Sequence, residues 1–258
     1  MYLFQSSSND PLLVHASTGS IGLGVPTPYD DPRFSPASLH IMHQDAAGIG
    51  YDGEIYRKIL HLLALLYPVL YLALPDPWGI SLLVFLSLTA VFLDWLRSVN
   101  VLSHAFFDRF FGFMMRAQER DVLGENVVIN GATWVTVTFT LLVLLFETDV
   151  AVVSFATFMI GDAAAALIGR SLGRRSWLRQ GATVEGSLAF LIVGSIVGWI
   201  LTSGILPWPL LSLPFHAVFA ATAVAAVIEA APIPLNDNLT GPLGAALTIT
   251  GIMASWPS

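Results

Sequence analysis

The chain has 258 residues, of which 55% are hydrophobic and only 11% are charged, whereas a soluble domain carries about 25% charged residues. This composition favours a membrane protein over a soluble one. The formal net charge is −7 and there is no cysteine, so a disulfide framework and a thiolate metal site are both excluded. No dense basic face or nucleic-acid-binding motif is present, so we expect no nucleic acid among the partners.

Residues 1–50 differ in composition from the rest of the chain. They are rich in Ser, Pro, Gly and Asp, as in "GVPTPYDDPRFSPAS", which is typical of irregular structure. The segment has no positively charged start followed by a long apolar run, so we do not expect a signal peptide. We therefore predict an irregular N-terminal tail over 1–50 and a membrane-embedded domain over 51–258.

Seven apolar segments follow, each close to the roughly 20 residues that cross a bilayer core. The predicted fold class is therefore all-α, a polytopic membrane helical bundle of about seven transmembrane helices. The segments lie at about 59–75, 78–97, 127–146, 150–170, 185–205, 212–231 and 239–256.

A further helix is predicted between the second and third spans, in "SHAFFDRFFGFMMRAQER". Six of its Phe and Met residues form an apolar stripe, and Arg109, Arg116 and Arg120 lie among them. This pattern is typical of an amphipathic helix lying in the membrane surface. Such a helix either packs peripherally or contacts a substrate, and the sequence leaves both open.

The positive charges fall on one side of this predicted bundle. Arg57 and Lys58 precede the first span, four arginines lie between spans two and three, and four more lie between spans four and five. The loops of the opposite side, "PDP", "ETD" and "LPWP", contain no Lys or Arg. The positive-inside rule therefore places the N-terminus and the charged loops in the cytoplasm, and the C-terminus outside the cell membrane.

Ionisable residues inside membrane spans are costly and usually functional. Here they share one position in the predicted topology, at the cytoplasmic ends of several different helices. We therefore predict one shared polar site at that face. Its candidate members are His61, Asp94, Glu119, Asp162, Glu185, Glu229, Asp237 and Asn238.

Several charged residues are spaced as neighbours on one helix face. Arg57 and His61 are four residues apart, and Lys58 and His61 are three apart, so all three can share a face. Lys58 is the chain's only lysine, and either an interface anchor or a catalytic role is open for it. Two pairs with the i, i+3 spacing are either local ion pairs or functional: Asp94 with Arg97, and Arg116 with Glu119.

The fourth span carries small residues at every fourth position, Gly161, Ala165, Gly169 and Gly173, a row that permits close helix packing. Asp162 is next to this row, so its side chain is expected to face the bundle and not the lipid. A carboxylate at this position could bind a Mg²⁺ ion that is also bound to phosphate groups. The arginines that follow could neutralise phosphate oxygens.

Two further motifs stand at helix starts. Thr183 and Glu185 in "ATVEGSLAF" either cap the fifth span or belong to the polar site. In "EAAPIPLNDNLTGPLGAAL" two prolines end the sixth span, and Asp237 and Asn238 stand at the mouth of the seventh. This second arrangement is either a plain loop with a helix cap or a site where a bound cation holds a phosphate.

Four of these motifs, in this order, resemble the CTP-dependent lipid kinase family, which includes dolichol kinase, phytol kinase and the yeast-type diacylglycerol kinase. The resemblance covers roughly 54–256. It implies a lipid kinase-like domain that transfers the γ-phosphate of CTP to a lipid alcohol with Mg²⁺ or another divalent cation. The motifs are "RKILH" (57–61), "IGDAAAALIGRSLGR" (160–174), "TVEGSLA" (183–189) and "IEAAPIPLNDNLTGPL" (228–243).

The resemblance, read with the charge pattern, also implies roles for individual residues. Asp162 and Asp237, with Glu185, are the candidate ligands of the divalent cation. His61, Glu119 and Asp162 are all open as the base that accepts the proton of the lipid hydroxyl. The implied nucleotide and phosphate site comprises Arg57, Lys58, Gly161, Gly173, Arg174, Thr183, Gly186, Ser187 and Asn238. Further implied members are Asp94, Arg97, Arg116, Glu229 and Pro242.

One position departs from the family's pattern. The lysine that usually precedes "TVEGS" is Ala182 in this chain. Three explanations are open: Arg179 replaces that lysine, the chemistry differs, or an inactivating change is present.

Two other functions stay open. A cytidylyltransferase that makes a CDP-lipid would use the same nucleotide and metal but would release pyrophosphate. A non-enzymatic lipid-binding or transport protein would need no nucleotide. The lipid alcohol is also left open among a polyprenol, an isoprenoid alcohol and diacylglycerol.

Overall fold

The computed structural model describes residues 51–115, 117–120, 123–124, 127–178, 181–205 and 213–255, and all regular elements within them are helices. The all-α prediction is confirmed for this part of the chain, and the predicted tail over 1–50 lies outside it. The helices are α1 (Tyr51–Leu63), α2 (Leu66–Ala73), α3 (Trp78–Val99), α4 (Val101–Phe111), α5 (Ala117–Arg120), α6 (Gly131–Leu145), α7 (Thr148–Leu172), α8 (Val184–Thr202), α9 (Phe215–Ala230) and α10 (Asp237–Ser255).

Four helical segments in the described residues are long and apolar enough to cross a membrane. They are Ile55–Ala73, which combines most of α1 with α2, and the helices α3, α7 and α8. The apolar helices α6 and α9 have only 15 and 16 residues, which at about 1.5 Å per residue fall short of a hydrocarbon core about 30 Å thick. α10 has 19 residues but is rich in Gly and Thr. Seven spans therefore remain a prediction.

The outer surface of these helices is apolar. On α8, Leu188, Ile192, Ile196 and Trp199 recur at helical spacing, and each is between 50% and 58% exposed. On α3, Phe85 is 64% exposed in the same way. Water-soluble monomers rarely expose contiguous apolar surface of this kind, so a lipid bilayer is the environment that this surface fits.

Among the four candidate spans, α7 is the most deeply buried. Every residue from Val150 to Met159 is buried, and α7 contacts α1, α6, α8, α9 and α10. Burial on all sides explains why this helix is apolar around its whole circumference, without a polar stripe. The same packing places Asp162, one turn further along α7, inside the bundle.

α7 and α8 pack closely along the predicted row of small residues. A side chain at Gly161 would lie 2.8 Å from the ring of Phe190, and Gly169 and Gly173 both face Thr183. The packing role of the row is therefore confirmed. Because Gly161 meets Phe190 while Gly173 meets the earlier Thr183, the two helices are antiparallel.

α8 and α9 are also antiparallel. Gly194 lies against Thr222, whereas Gly198, one turn later on α8, lies against the earlier Val218 of α9. These contacts require glycine, since a Cβ atom on Gly198 would lie 2.5 Å from Val218. The direction of the chain thus reverses at each step from α7 to α9.

α10 runs opposite to α7. It packs against α9 and follows it after only the short segment 231–236, so the chain reverses once more. Gly241 of α10 lies against the ring of Phe158 of α7. Asn238 is one turn before Gly241 and Asp162 is one turn after Phe158, so these two buried residues lie at the same end of the bundle.

The predicted surface helix is interrupted. α4 ends at Phe111, and a 3-10 turn over Gly112–Met114 separates it from the short α5. All 11 residues of α4 remain at least partly exposed, and the rings of Phe106 and Phe110 are more than half exposed. This exposure fits a helix lying in the membrane surface. Arg116 lies outside the described residues.

Candidate functional site

Three of the predicted site residues meet where α1 contacts α7. Lys58 Nζ lies 2.5 Å from Asp162 Oδ2, and His61 Nδ1 lies 3.5 Å from the same oxygen. All three residues are more than nine-tenths buried. The i, i+3 spacing places Lys58 and His61 on the face of α1 that packs on α7. We call these three residues the Lys–His–Asp group.

The Lys–His–Asp group holds opposite charges away from water. Removing a carboxylate or an ammonium group from water is costly, and the pairing of Lys58 with Asp162 offsets part of that cost. Among the described residues, His61 Nδ1 has no hydrogen-bond partner. A buried nitrogen left in this state needs an explanation, such as a catalytic role or a bound molecule. The group is therefore the strongest candidate for chemistry in the described part of the chain.

Asp94 and Arg97 form a second buried polar group on α3, with Nη2 and Oδ1 3.6 Å apart. Asp94 accepts hydrogen bonds from the backbone N–H and the side-chain amide of Asn130, at 2.9 and 2.5 Å. Arg97 donates to the carbonyl of Val128 at 3.3 Å and to Sδ of Met115 at 3.1 Å. The local ion pair is thus present, and its further bonds tie the segment before α6 to α3.

Sequence analysis missed Asn130, although the residue has two roles here. It bonds to Asp94, and its side-chain oxygen accepts a hydrogen bond from the N–H of Thr133 at 3.0 Å, which caps α6. An asparagine directly before an apolar helical run is a helix-start signal that could have identified the cap. The hydrogen bond to Asp94 could not have been predicted in this way, because no feature of the sequence near Asn130 indicates it.

The start of α6 also brings Glu119 and Asn238 together. A Cβ atom on Gly131 would lie 3.6 Å from Asn238 Nδ2 and 3.9 Å from Glu119 Oε1. Because Gly131 follows Asn130, this meeting point adjoins the bonds to Asp94. Residues of α3, α5, α6 and α10 therefore lie near one another at this place, and the predicted shared site had members on α3, α5 and α10 but none on α6.

The motif "TVEGS" organises the connection between α7 and α8. Glu185 Oε2 accepts hydrogen bonds from the backbone N–H groups of Arg174 and Arg175, at 3.2 and 3.4 Å. Thr183 Oγ1 accepts from the N–H of Gly186 at 3.1 Å. The predicted cap at Thr183 is therefore confirmed, and one Glu185 oxygen is bonded to the preceding loop.

The predicted metal ligands do not form a ready-made cage. Within the described residues, no three His, Asp or Glu side chains are grouped as a metal site, so Asp162, Glu185 and Asp237 do not come together as a set of three. Asp162 Oδ2 is paired with Lys58. Mg²⁺ commonly takes only one or two carboxylates and completes its shell with phosphates and water.

The other predicted residues are spread over several helices. Gly161, Ser187 and Pro242 are buried in the helix packing, and Gly173 and Arg174 are exposed in the α7–α8 connection. Arg57 on α1, Glu229 near the end of α9 and Asp237 at the start of α10 are each partly buried. Ala182 is buried, and its carbonyl accepts the N–H of Trp177 at 3.1 Å. Arg116 and Arg179 are not among the described residues.

Comparison with known proteins found a bacterial relative. The chain is similar to an uncharacterized protein of Rickettsia prowazekii (strain Madrid E), with 28% identity over 202 residues, which cover 78% of this chain and 95% of the relative. No family model and no solved structure matches the chain.

Proposed function

We propose that the protein is a multi-pass membrane kinase that transfers the γ-phosphate of CTP to a lipid alcohol, with its site at the cytoplasmic face of the cell membrane. The observation that carries this proposal is the buried Lys–His–Asp group, placed at one end of a helical bundle with an apolar outer surface. The resemblance of the four motifs to CTP-dependent lipid kinases supplies the donor and the class of acceptor.

Phosphoryl transfer depends on positioning and charge neutralisation more than on covalent catalysis. In the proposal, Lys58 contacts phosphate oxygens together with Arg57, its neighbour on α1, and Arg174. Mg²⁺, when bound with CTP between Asp162 and Asp237, supplies further neutralisation of the triphosphate. The register of α7 and α10 supports this assignment, since it places the residue after Asp237 at the same end of the bundle as Asp162.

His61 is the base that the geometry favours. Its Nδ1 atom lies 3.5 Å from Asp162 Oδ2, and a carboxylate that faces one ring nitrogen can orient the ring. Nε2 is then the atom that accepts the proton of the lipid hydroxyl. The lipid oxygen bonds to the γ-phosphorus, the bond from phosphorus to the bridging oxygen breaks, and CDP leaves. Glu119 is a weaker candidate because it lies beside Gly131 and Asn238 and is not one of the residues that pair in the Lys–His–Asp group.

The acceptor reaches the site from the bilayer. The exposed apolar faces of α3 and α8 keep the protein in contact with lipid tails, so the alcohol can stay in the membrane while its hydroxyl meets the nucleotide at the interface. Polyprenol, isoprenoid alcohol and diacylglycerol all meet this requirement.

A nucleotide-by-lipid screen of the purified protein tests the proposal. The protein is incubated in detergent with γ-labelled nucleotides and each of the three lipid classes. We expect labelled phospholipid and free CDP, with CTP preferred as donor. Release of pyrophosphate with a CDP-lipid would identify a cytidylyltransferase instead. If the folded protein forms neither product with any combination of nucleotide and lipid, the proposal is contradicted. Lipid binding or transport would then be the function that remains.

A further inference from the structure

The connection between α7 and α8 is a short hairpin that carries two exposed arginines. Ser176 and Thr183 form an antiparallel bridge, and the N–H of Val184 donates to the carbonyl of Arg175 at 2.9 Å. Arg174 and Arg175 are exposed, and Leu178 is 54% exposed. The hairpin therefore presents two adjacent cations from a backbone held by hydrogen bonds.

The motif on α8 supplies the bonds that hold this hairpin. Glu185 Oε2 accepts from the consecutive backbone N–H groups of Arg174 and Arg175, at 3.2 and 3.4 Å. Ser187 Oγ accepts from Nε1 of Trp177 at 3.1 Å. Hydrogen bonds to an ionised carboxylate are stronger than those between neutral groups. Glu185 thus bonds α8 to the segment that carries the two arginines.

We propose that Glu185 is a positioning residue, which clamps the hairpin so that Arg174 and Arg175 form a phosphate-binding pair. Two bonds to consecutive N–H groups fix the backbone conformation at both arginines, so the positions of their Cα and Cβ atoms are defined. In this role Glu185 acts through its bonds to the hairpin backbone, which differs from its predicted role as a metal ligand.

The ligand class is a phosphate group, from either a nucleotide or an anionic lipid headgroup. The exposed Trp177 and Leu178 beside the arginines fit the membrane interface, where both sources are within reach. The inference that the phosphate comes from a nucleotide rests on the proposed kinase function, whereas binding of a lipid headgroup does not. The clamp itself does not depend on that function.

Limited trypsin digestion of the full chain in detergent tests the clamp without any activity assay. We expect cleavage after Arg174 and Arg175 to be several-fold faster in Glu185→Ala than in the wild type. Glu185→Gln should stay near the wild type, because the glutamine carbonyl oxygen still accepts both N–H groups. Cleavage after the exposed Arg120 is the internal reference. Equal hairpin rates in all three proteins, or an equal rise at Arg120, would overturn the clamp.

Protection from trypsin identifies the phosphate source. CTP is added to the protein in phosphatidylcholine nanodiscs, and in a parallel sample phosphatidylglycerol nanodiscs are used without nucleotide. If CTP protects Arg174 and Arg175 from cleavage, the bound phosphate comes from the nucleotide. If only phosphatidylglycerol protects them, it comes from a lipid headgroup. Absence of protection in both samples would overturn the phosphate role, whether or not the protein transfers phosphate.

Kinetics separate a positioning role from metal binding. If CTP is the source, Glu185→Ala and the double variant Arg174→Gln with Arg175→Gln should raise the KM for CTP about tenfold, the factor that corresponds to one lost hydrogen bond to a charged group, with kcat little changed. Glu185→Gln should rescue the KM. A metal ligand would give the opposite result, with Glu185→Gln as defective as Glu185→Ala and a raised Mg²⁺ requirement, and that result would contradict the proposal.

Discussion

Lys58 and Asp162 are 104 residues apart in the chain, yet Nζ and Oδ2 lie 2.5 Å apart in the fold. The pair links α1 to α7 in a place that is closed to water. It also links the motif expected to bind phosphate with the motif expected to bind metal. Any phosphate that Lys58 binds therefore competes with Asp162 for the same ammonium group.

Asp162→Asn should abolish phosphoryl transfer and destabilise the protein. The substitution leaves Lys58 as an uncompensated buried cation, and breaking a buried pair in this way costs about 3–5 kcal/mol. The double variant Lys58→Met with Asp162→Leu removes both charges, so it should regain most of the stability and none of the activity. Thermal unfolding in detergent and product formation are measured side by side. Normal turnover in Asp162→Asn would contradict the role of this carboxylate.

His61→Gln should reduce turnover while leaving the affinity for CTP nearly unchanged. Loss of a positioned general base costs about 10²–10⁴-fold in rate, and no phosphate contact is assigned to this side chain. His216→Gln, at the exposed start of α9, is the matched control and should behave like the wild type. Steady-state kinetics with CTP check both variants. An equal loss in kcat and in CTP affinity would instead make His61 a nucleotide contact.

Gly161→Ala should destabilise the α7–α8 packing. The added Cβ atom would lie 2.8 Å from the ring of Phe190, and overpacking of this kind costs about 1–3 kcal/mol. Phe190→Leu in the same chain should recover part of the loss by making room. Gly251→Ala in α10 is the control, because a Cβ atom there has nothing within 4 Å among the described residues. Melting temperatures in detergent report all three changes.

The ion pair between Asp108 on α4 and Arg120 on α5 should give a small pH-dependent stabilisation. Arg120 Nε donates to Asp108 Oδ1 at 2.9 Å, and this hydrogen bond holds the pKa of the Asp108 carboxyl below its usual range. A lowered pKa stabilises the native state above the ordinary value of about 3.9, and the effect is lost as the pH falls through the lowered value.

Asp108→Asn should therefore lower the melting temperature slightly at pH 7, and the difference from the wild type should disappear in strong acid. Because the pair is exposed, high salt should also reduce the difference. A difference that persists in acid would mean that the carboxylate charge is not its cause.

Labelling of single cysteines can establish the predicted orientation, because the native chain contains none. Glu147→Cys and Ser171→Cys place thiols at the two ends of α7. In intact cells, a membrane-impermeant maleimide should label position 147 and should reach position 171 only after lysis. Labelling of both positions from the same side would contradict a membrane-crossing α7 and the seven-span topology.

The sequence by itself determined the local properties of this protein. Helix type and membrane character follow from the length and hydropathy of each segment, which do not depend on where other segments lie. The same holds for the Thr183 cap, which depends only on the first turn of α8, and for the four-residue spacing of the small residues along α7. Charged residues near helix ends were likewise recognisable as candidates for a site.

Only the tertiary structure decided which of those candidates meet. Lys58 pairs with Asp162, Asp94 bonds to Asn130, and Glu185 bonds to the backbone of the hairpin. The first two contacts join different helices, so they depend on the rotation and register of each helix against its neighbour. Those are set by the packing of buried side chains along the whole interface, as at Gly161 and Phe190, and no single segment carries that information.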